Sequence, residues 1–149
     1  MGDCVLPLPS TSDQDRHPQV LSPLHVLLAD DNPDNRRLAE LILSSAGARV
    51  TPVSDGAEAV DAFRRGPFDL VLMDMMMPIM DGAQAVRGIR AAEAAAASAR
   101  TPVIMLSATP LREHIERSME AGADLHLAKP ISATALIEAI SLALDAAVL

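Results

Sequence analysis

The chain has 149 residues, 50% of them hydrophobic, and a formal net charge of -8, a length that suits one compact domain plus a tail. No apolar run approaches the roughly 18 residues that read as a membrane span. The start carries Asp3 rather than the basic cluster of a signal peptide, and Leu6 stands where a myristoylation motif calls for Ser or Thr, so a cytoplasmic protein is expected.

The acidic balance argues against nucleic-acid binding, which normally leaves a basic footprint. Cys4 is the only cysteine, which excludes an internal disulfide. Phe63 and Phe68 are the only aromatic residues, so the core has to be built from Leu, Val, Ile, Met and Ala.

Residues 1–23 hold Pro7, Pro9, Pro18 and Pro23 among polar residues and read as a flexible leader without a core of its own. From Leu24 onward, residues 24–149 read as a single domain in which apolar runs alternate with helical spacing. The first strand is Val26–Ala29, followed by a helix with Leu38, Leu41 and Ile42 as its apolar face. The second strand is Val50–Val53. Its Pro52 cannot donate to a ladder and belongs on an edge. Ala59, Val60 and Phe63 mark the next helix, and Leu70–Met73 the third strand.

Gly82 to about Ala92 fills the following helical slot with Ala85, Val86 and Ile89 inward. Ala91–Ala99 fits either a continuation of that helix or a loose connector. Val103–Leu106 is the fourth strand, and Leu111, Ile115 and Met119 line the helix after it. The fifth strand, Leu125–Ala128, contains His126, which suits an edge. Leu136, Ile140, Ala143 and Leu144 complete the last helix.

Strands and helices that alternate in this way imply a parallel sheet covered on both faces. Wholly apolar runs at 26, 70 and 103 belong in its centre. The expected fold is a flavodoxin-like (βα)5 doubly wound sheet of order 2-1-3-4-5, with right-handed crossovers.

Ligands of such sheets bind beyond the carboxyl ends of the strands. The first strand ends in Asp30 and Asp31, the third in Asp74, the fourth in Ser107, Ala108 and Thr109, and the fifth in Lys129. Each alone has an ordinary reading: Asp31 or Asn32 as a helix cap before Pro33, Asp74 as a turn residue, Lys129 as a solvated charge. Their joint placement at four strand ends points to one shared site. Like charges about 4 Å apart repel by roughly 4 kcal/mol at an effective dielectric near 20. Three carboxylates on one rim therefore call for a cation. A hard ion such as Mg²⁺ takes one or two carboxylates and keeps room for a phosphate. Lys129 supplies a point charge for phosphoryl oxygens, and Asp74, in the middle, becomes the nucleophile.

Four stretches, Val26 to Arg37, Asp69 to Gly82, Thr101 to Ala108 and Ala121 to Pro130, resemble the receiver domains of two-component response regulators. The wording Asp31-Asn-Pro-Asp-Asn-Arg36 is similar to receivers attached to hybrid histidine kinases. The resemblance implies phosphorylation of Asp74. It implies Mg²⁺ ligation by Asp31, Asp74 and the backbone carbonyl of Met76, with Asp30 helping through water. Ser107 matches the switch hydroxyl, Lys129 the phosphoryl-binding lysine, and Pro130 follows an expected cis bond. Pro78 and Gly82 match the loop after the phosphoacceptor.

Such domains usually carry Tyr or Phe where this chain has His126. That position gives either a solvent-facing edge histidine or an inward-moving, titratable switch. Ala108 leaves access to the phosphoryl group, and neither Met76 nor Thr109 positions a water, so slow autodephosphorylation is expected. The implied partners are a histidine kinase or histidine phosphotransfer protein and a downstream protein, with helix one (Arg36, Arg37, Leu38) as a docking face and Leu111–Met119 as the responsive surface. No nucleic acid and no membrane enter this scheme, and the protein is a monomer or weak homodimer. Because the chain stops at Leu149, a stand-alone, non-enzymatic phosphoacceptor is expected. Phosphohydrolases with an aspartate nucleophile want a second Asp where Met76 stands. A phosphorylation-independent binding module usually loses one of the acidic residues or the lysine that this chain keeps.

Overall fold

The computed structural model describes residues 24–108 and 111–148, so Cys4, the leader and Thr109 lie outside the described residues. In chain order the elements are β1 (His25–Ala29), α1 (Pro33–Ser45), β2 (Arg49–Val53), α2 (Gly56–Arg65), β3 (Leu70–Asp74), α3 (Gly82–Ala96), β4 (Val103–Ser107), α4 (Arg112–Ala121), β5 (Leu125–Ala128) and α5 (Ala133–Val148). The strands form one parallel sheet in the order β2-β1-β3-β4-β5, as their apolar patterns require.

Alternation along each central strand builds two cores. Leu27, Val71, Met73 and Met105 face one way, onto Ala59 and Val60 of α2, Val86 and Ile89 of α3 and Ala121 of α4. Val26, Leu28, Leu70, Leu72, Ile104 and Leu106 face the other, onto Ala39 and Leu43 of α1 and Leu136 and Ile140 of α5. β1, β3 and β4 are thus buried on both faces. Pro52 sits in β2 at an edge, where its missing N–H costs no ladder bond.

Local chemistry sets the helix boundaries. Asn32 accepts from the amides of Asp34 and Asn35, with Pro33 at the first helical position of α1. Asp81 and Gln84 form a reciprocal capping box at the start of α3. The alanine-rich stretch resolves as helix to Ala96, closed by Ala97 in the left-handed region (φ 52°).

Two helix faces differ from the sequence expectation. In α1, Leu38 and Leu41 are exposed (47% and 54%), and Ala39 and Leu43 are the buried pair. In α4, Leu111 and Met119 are exposed while Ser118 and Ala121 are buried. The inward residues of α4 are small, Ser118 and Ala121, while α1 turns inward one small and one large residue, Ala39 and Leu43.

At the amino ends of β4 and β5, the Arg90 guanidinium of α3 joins three segments. It donates to the carbonyls of Gly122 (2.7 Å) and Thr101 (2.7 Å) and pairs with Glu93 (2.9 Å) and Asp124 (3.0 Å). Glu93 and Asp124 in turn accept from the amides of Thr101 and Val103. Every charge in this half-buried cluster therefore has a partner, as burial demands.

Candidate functional site

The opposite end of the sheet, at the carboxyl ends of the strands, collects the charged residues. Asp74 is the last residue of β3 and Asp30 follows β1. Both are buried (5% and 1% exposed), while Asp31 is exposed. Because Asn32, not Asp31, caps α1, the Asp31 carboxylate is left out of the cap. Ligand oxygens of Asp30, Asp31 and Asp74 all lie within 4.8 Å of one another. Lys129, just beyond β5, reaches into this group with Nζ 2.9 Å from Asp30 Oδ2 and 3.3 Å from Asp74 Oδ1. Its own amide donates to the Ser107 carbonyl at 2.8 Å, which ties it to the end of β4. The Lys129–Pro130 peptide bond is cis.

The electrostatics follow from that placement. Burial pushes the Asp74 carboxyl up from 3.8 to about 6, the Asp30 charge adds to the rise, Lys129 opposes it, and Asp31 adds a smaller repulsion. Burial works against the Lys129 ammonium, yet its hydrogen bond to Asp30 and the Asp74 charge outweigh it and raise the pKa. Asp30 is further fixed by the Asn32 amide on Oδ1 (2.9 Å) and by Arg36, whose Nη1 donates to its main-chain carbonyl (2.8 Å).

The loop from Met75 to Asp81 lies against this cluster. Gly82 donates to the Met75 carbonyl at 2.9 Å, and a Cβ on Gly82 would stand 2.3 Å from the Asp74 carbonyl oxygen. Only glycine permits that approach. Met75 is buried and Met76 exposed at the mouth (61%). Behind the loop, Arg117 of α4 pairs with Asp81 at 2.6 Å, and Ser118 Oγ lies 3.3 Å from Met75 Sδ. α4 is thereby held against the segment that carries Asp74.

Ser107 is buried at the end of β4, and Ala108 beside it is exposed. His126 stands apart from the carboxylates, paired with Met105 in the β4–β5 register. Leu125 and Leu127 pack toward the α1 and α5 side, so alternation sends the imidazole toward α4. Its Nε2 is buried without a hydrogen-bond partner, alone in this respect among the side chains of the described residues. The reading of His126 as a solvent-facing edge residue is thus corrected: β5 is an edge strand, but α4 covers the face the ring is on. Burial, with a further contribution from His114, lowers its pKa below 6.5.

Sequence reasoning missed Arg117 and Ser118, and named Arg36 only as part of a docking face, not as the donor to the Asp30 carbonyl. Asp81-Gly-Ala-Gln84 has the spacing of a capping box, a signal not used in the sequence reading, and nothing in the sequence pairs Arg117 with it. Beside the cluster, a hollow of about 330 Å³ is lined by Asn35, Leu38, Ala108, Lys129, Pro130 and Ile131. Chemically, the site offers hard oxygen donors, a central carboxylate and a fixed ammonium.

The family model for the response regulator receiver domain matches residues 26–141. Sensor protein GacS of Pseudomonas syringae pv. syringae is 41% identical over 115 residues, covering 77% of this chain and 13% of that protein. Sensor histidine kinase GacS of Pseudomonas protegens is 34% identical over 140 residues, 94% of this chain and 15% of the relative. The chain therefore spans about one seventh of the length of these curated relatives.

The crystal structure of the receiver domain of sensor histidine kinase PA1611 from Pseudomonas aeruginosa PAO1, which has a magnesium ion coordinated in its active site cleft, superposes with a TM-score of 0.74 at 38% identity. It covers 82% of this chain and 98% of that one. The receiver domain of the Arabidopsis thaliana histidine kinase CKI1, complexed with Mg²⁺ and BeF₃⁻, gives a TM-score of 0.77 at 28% identity over 87% of this chain and 95% of that one. With the family match, the strand order and the rim of acidic residues in agreement, the chain belongs to the response regulator receiver domains, the phosphoacceptor modules of two-component signalling.

Proposed function

We propose that Asp74 accepts a phosphoryl group from a phosphohistidine donor with Mg²⁺ held by Asp30, Asp31, Asp74 and the main-chain carbonyl of Met76. The observation that carries this reading is the meeting of the three carboxylates within 4.8 Å, with Asp74 raised to about 6 by burial and repulsion. Oxygen donors bearing excess negative charge fit a hard divalent cation. When bound, the ion supplies positive charge for the carboxylates and the phosphoryl oxygens.

The residues of the chain do the rest. An Asp74 carboxylate oxygen forms the bond to phosphorus as the donor's P–N bond breaks, and the imidazole nitrogen departs with that electron pair. Lys129, already between Asp30 and Asp74, is placed to turn toward the transferred group, and Ser107 and Ala108 border it at the end of β4. Phosphoryl transfer depends chiefly on such positioning and charge compensation.

The donor protein, a histidine kinase or a histidine phosphotransfer protein, would dock where exposed Leu38 of α1 lines the hollow formed with Lys129 and Ile131. An apolar patch beside a reactive group suits the face of a partner helix. The output is partner binding or onward phosphotransfer by residues 24–149, with 1–23 as a leader. No helix among the described residues is long and apolar enough to cross a membrane, and we place the domain in the cytoplasm.

The test is incubation with a small phosphodonor and Mg²⁺ followed by intact mass. A single acid-stable, base-labile phosphate is expected, absent from Asp74→Asn. No added phosphate on the wild-type chain, or an undiminished one on Asp74→Asn, refutes the reading.

A further inference from the structure

Arg36 stands near the amino end of α1, in a helix that opens at Pro33. A cation there meets the positive end of the helix dipole, so the electrostatics of the helix alone disfavour it. Its surroundings compensate. The residue is half-buried, and its Nη1 donates to the Asp30 main-chain carbonyl at 2.8 Å. β1 ends at Ala29, so the Asp30 carbonyl lies outside the strand and takes its hydrogen bond from a side chain. Arg36 is also within electrostatic reach of Glu58 in α2. Hydrogen bonds from the Ser54 amide and hydroxyl hold that carboxyl below its ordinary range, burial opposes them, and Arg36 adds a smaller lowering.

The two acids at this corner are held differently. Asp30 accepts the Asn32 amide on one carboxylate oxygen and the Lys129 ammonium on the other, each at 2.9 Å. Asp31 is exposed, and among the described residues no hydrogen bond or ion pair holds its carboxylate. The cap of α1 is supplied by Asn32 instead. The direction of the Asp31 side chain therefore depends on the peptide unit that precedes it. That unit is planar, so the Asp30 carbonyl and the Asp31 amide turn together. Arg36 grips the carbonyl end of the plane.

We infer that Arg36 is a positioning residue for the cation site: by holding the Asp30–Asp31 peptide plane, it aims the Asp31 carboxylate toward Asp30 and Asp74. The inference rests on the Mg²⁺ site proposed above and adds to it a residue that acts on the ligands without touching the ion or the phosphoryl group.

The test is an Mg²⁺ titration followed by ¹⁵N–¹H spectra, starting in chelator, on the full chain and on Arg36→Met. Charge and positioning predict opposite signs. Deleting a nearby positive charge should by itself tighten cation binding, whereas releasing the peptide plane should weaken it by about tenfold. The weaker binding is the expected result, with the shifts seen in chelator centred on Asp30, Asp31 and Asn32. Equal or tighter Mg²⁺ binding by the variant overturns the role of Arg36. So does weaker binding accompanied by shifts spread through α1 and α2, which marks a general loosening. Arg36→Gln is titrated in parallel, so that poor folding of the methionine variant still leaves a decision. A wild-type chain that takes up no Mg²⁺ refutes the phosphoacceptor site itself, and the role of Arg36 falls with it.

Discussion

Lys129 lies closer to Asp30 than to Asp74: its Nζ is 2.9 Å from one carboxylate and 3.3 Å from the other. Asp30 is the more deeply buried of the two acids and already accepts the Asn32 amide, so the ammonium settles where charge is least accessible to water. Lys129→Met keeps most of the stem and removes the cation. It leaves two buried carboxylates opposed, and about 3 kcal/mol of stability should be lost in chelator. Urea unfolding with and without Mg²⁺ checks this, since the added divalent charge should narrow the gap.

Asp74→Asn should act in the opposite direction. The Asp74 pKa is raised from 3.8 to about 6, so the folded state holds this proton more tightly than the unfolded chain does. Its contribution to stability is complete below pH 3.8 and is lost as pH rises through 6. At pH 8 in chelator the wild type carries that loss and the variant does not. With one pKa unit equal to about 1.4 kcal/mol, a gain of about 3 kcal/mol is expected in denaturant melts, and it should shrink toward pH 4.

His126 gives a second pH signature of opposite sign. Its pKa lies below 6.5 because burial disfavours the imidazolium and the nearby His114 of α4 adds to this. A depressed histidine contributes stability that is complete above pH 6.5 and lost as pH falls through its folded value. His126→Phe also removes a buried nitrogen that has no partner. The variant should therefore gain on the wild type steadily from pH 7 to pH 5 and differ by a constant amount above pH 7. Parallel stability curves over that range would rule out the burial of this ring.

Two glycines provide a matched pair. A Cβ at Gly82 would stand 2.3 Å from the Asp74 carbonyl oxygen and 2.9 Å from Met75 Cα, both main-chain atoms that yield little. Gly82→Ala is expected to cost about 3 kcal/mol and to slow phosphorylation by displacing Asp74. At Gly66 the nearest atom is the flexible Phe68 ring at 3.9 Å, so Gly66→Ala should change thermal stability little. Melting curves and phosphodonor kinetics on both variants separate steric crowding at the site from a general cost of the added methyl.

The sheet was readable from the chain because its strands are either wholly apolar or marked by Pro52 and His126, and burial on two faces leaves no other pattern. The acidic rim was readable for a related reason: side chains at strand ends are positioned by topology before any detail of packing. Helix faces were less legible. Around α1 and α4, Leu38, Leu41, Leu111 and Met119 lie outside, while Ala39 and Leu43 of α1 and Ser118 and Ala121 of α4 lie inside, because several faces of each helix carry apolar residues and periodicity alone does not decide which one meets the sheet. The orientation of His126 depended on α4 covering β5, and the Arg117–Asp81 pair joins residues 36 positions apart, so both required three-dimensional knowledge.

The guanidinium of Arg90 has a consequence for motion. By fastening α3 to Thr101, Gly122 and Asp124, it works as a hinge pin at one pole of the sandwich. A tilt of α4 that keeps these bonds would pivot there and move most at its opposite tip, near Leu111, straining the Arg117–Asp81 pair on the way.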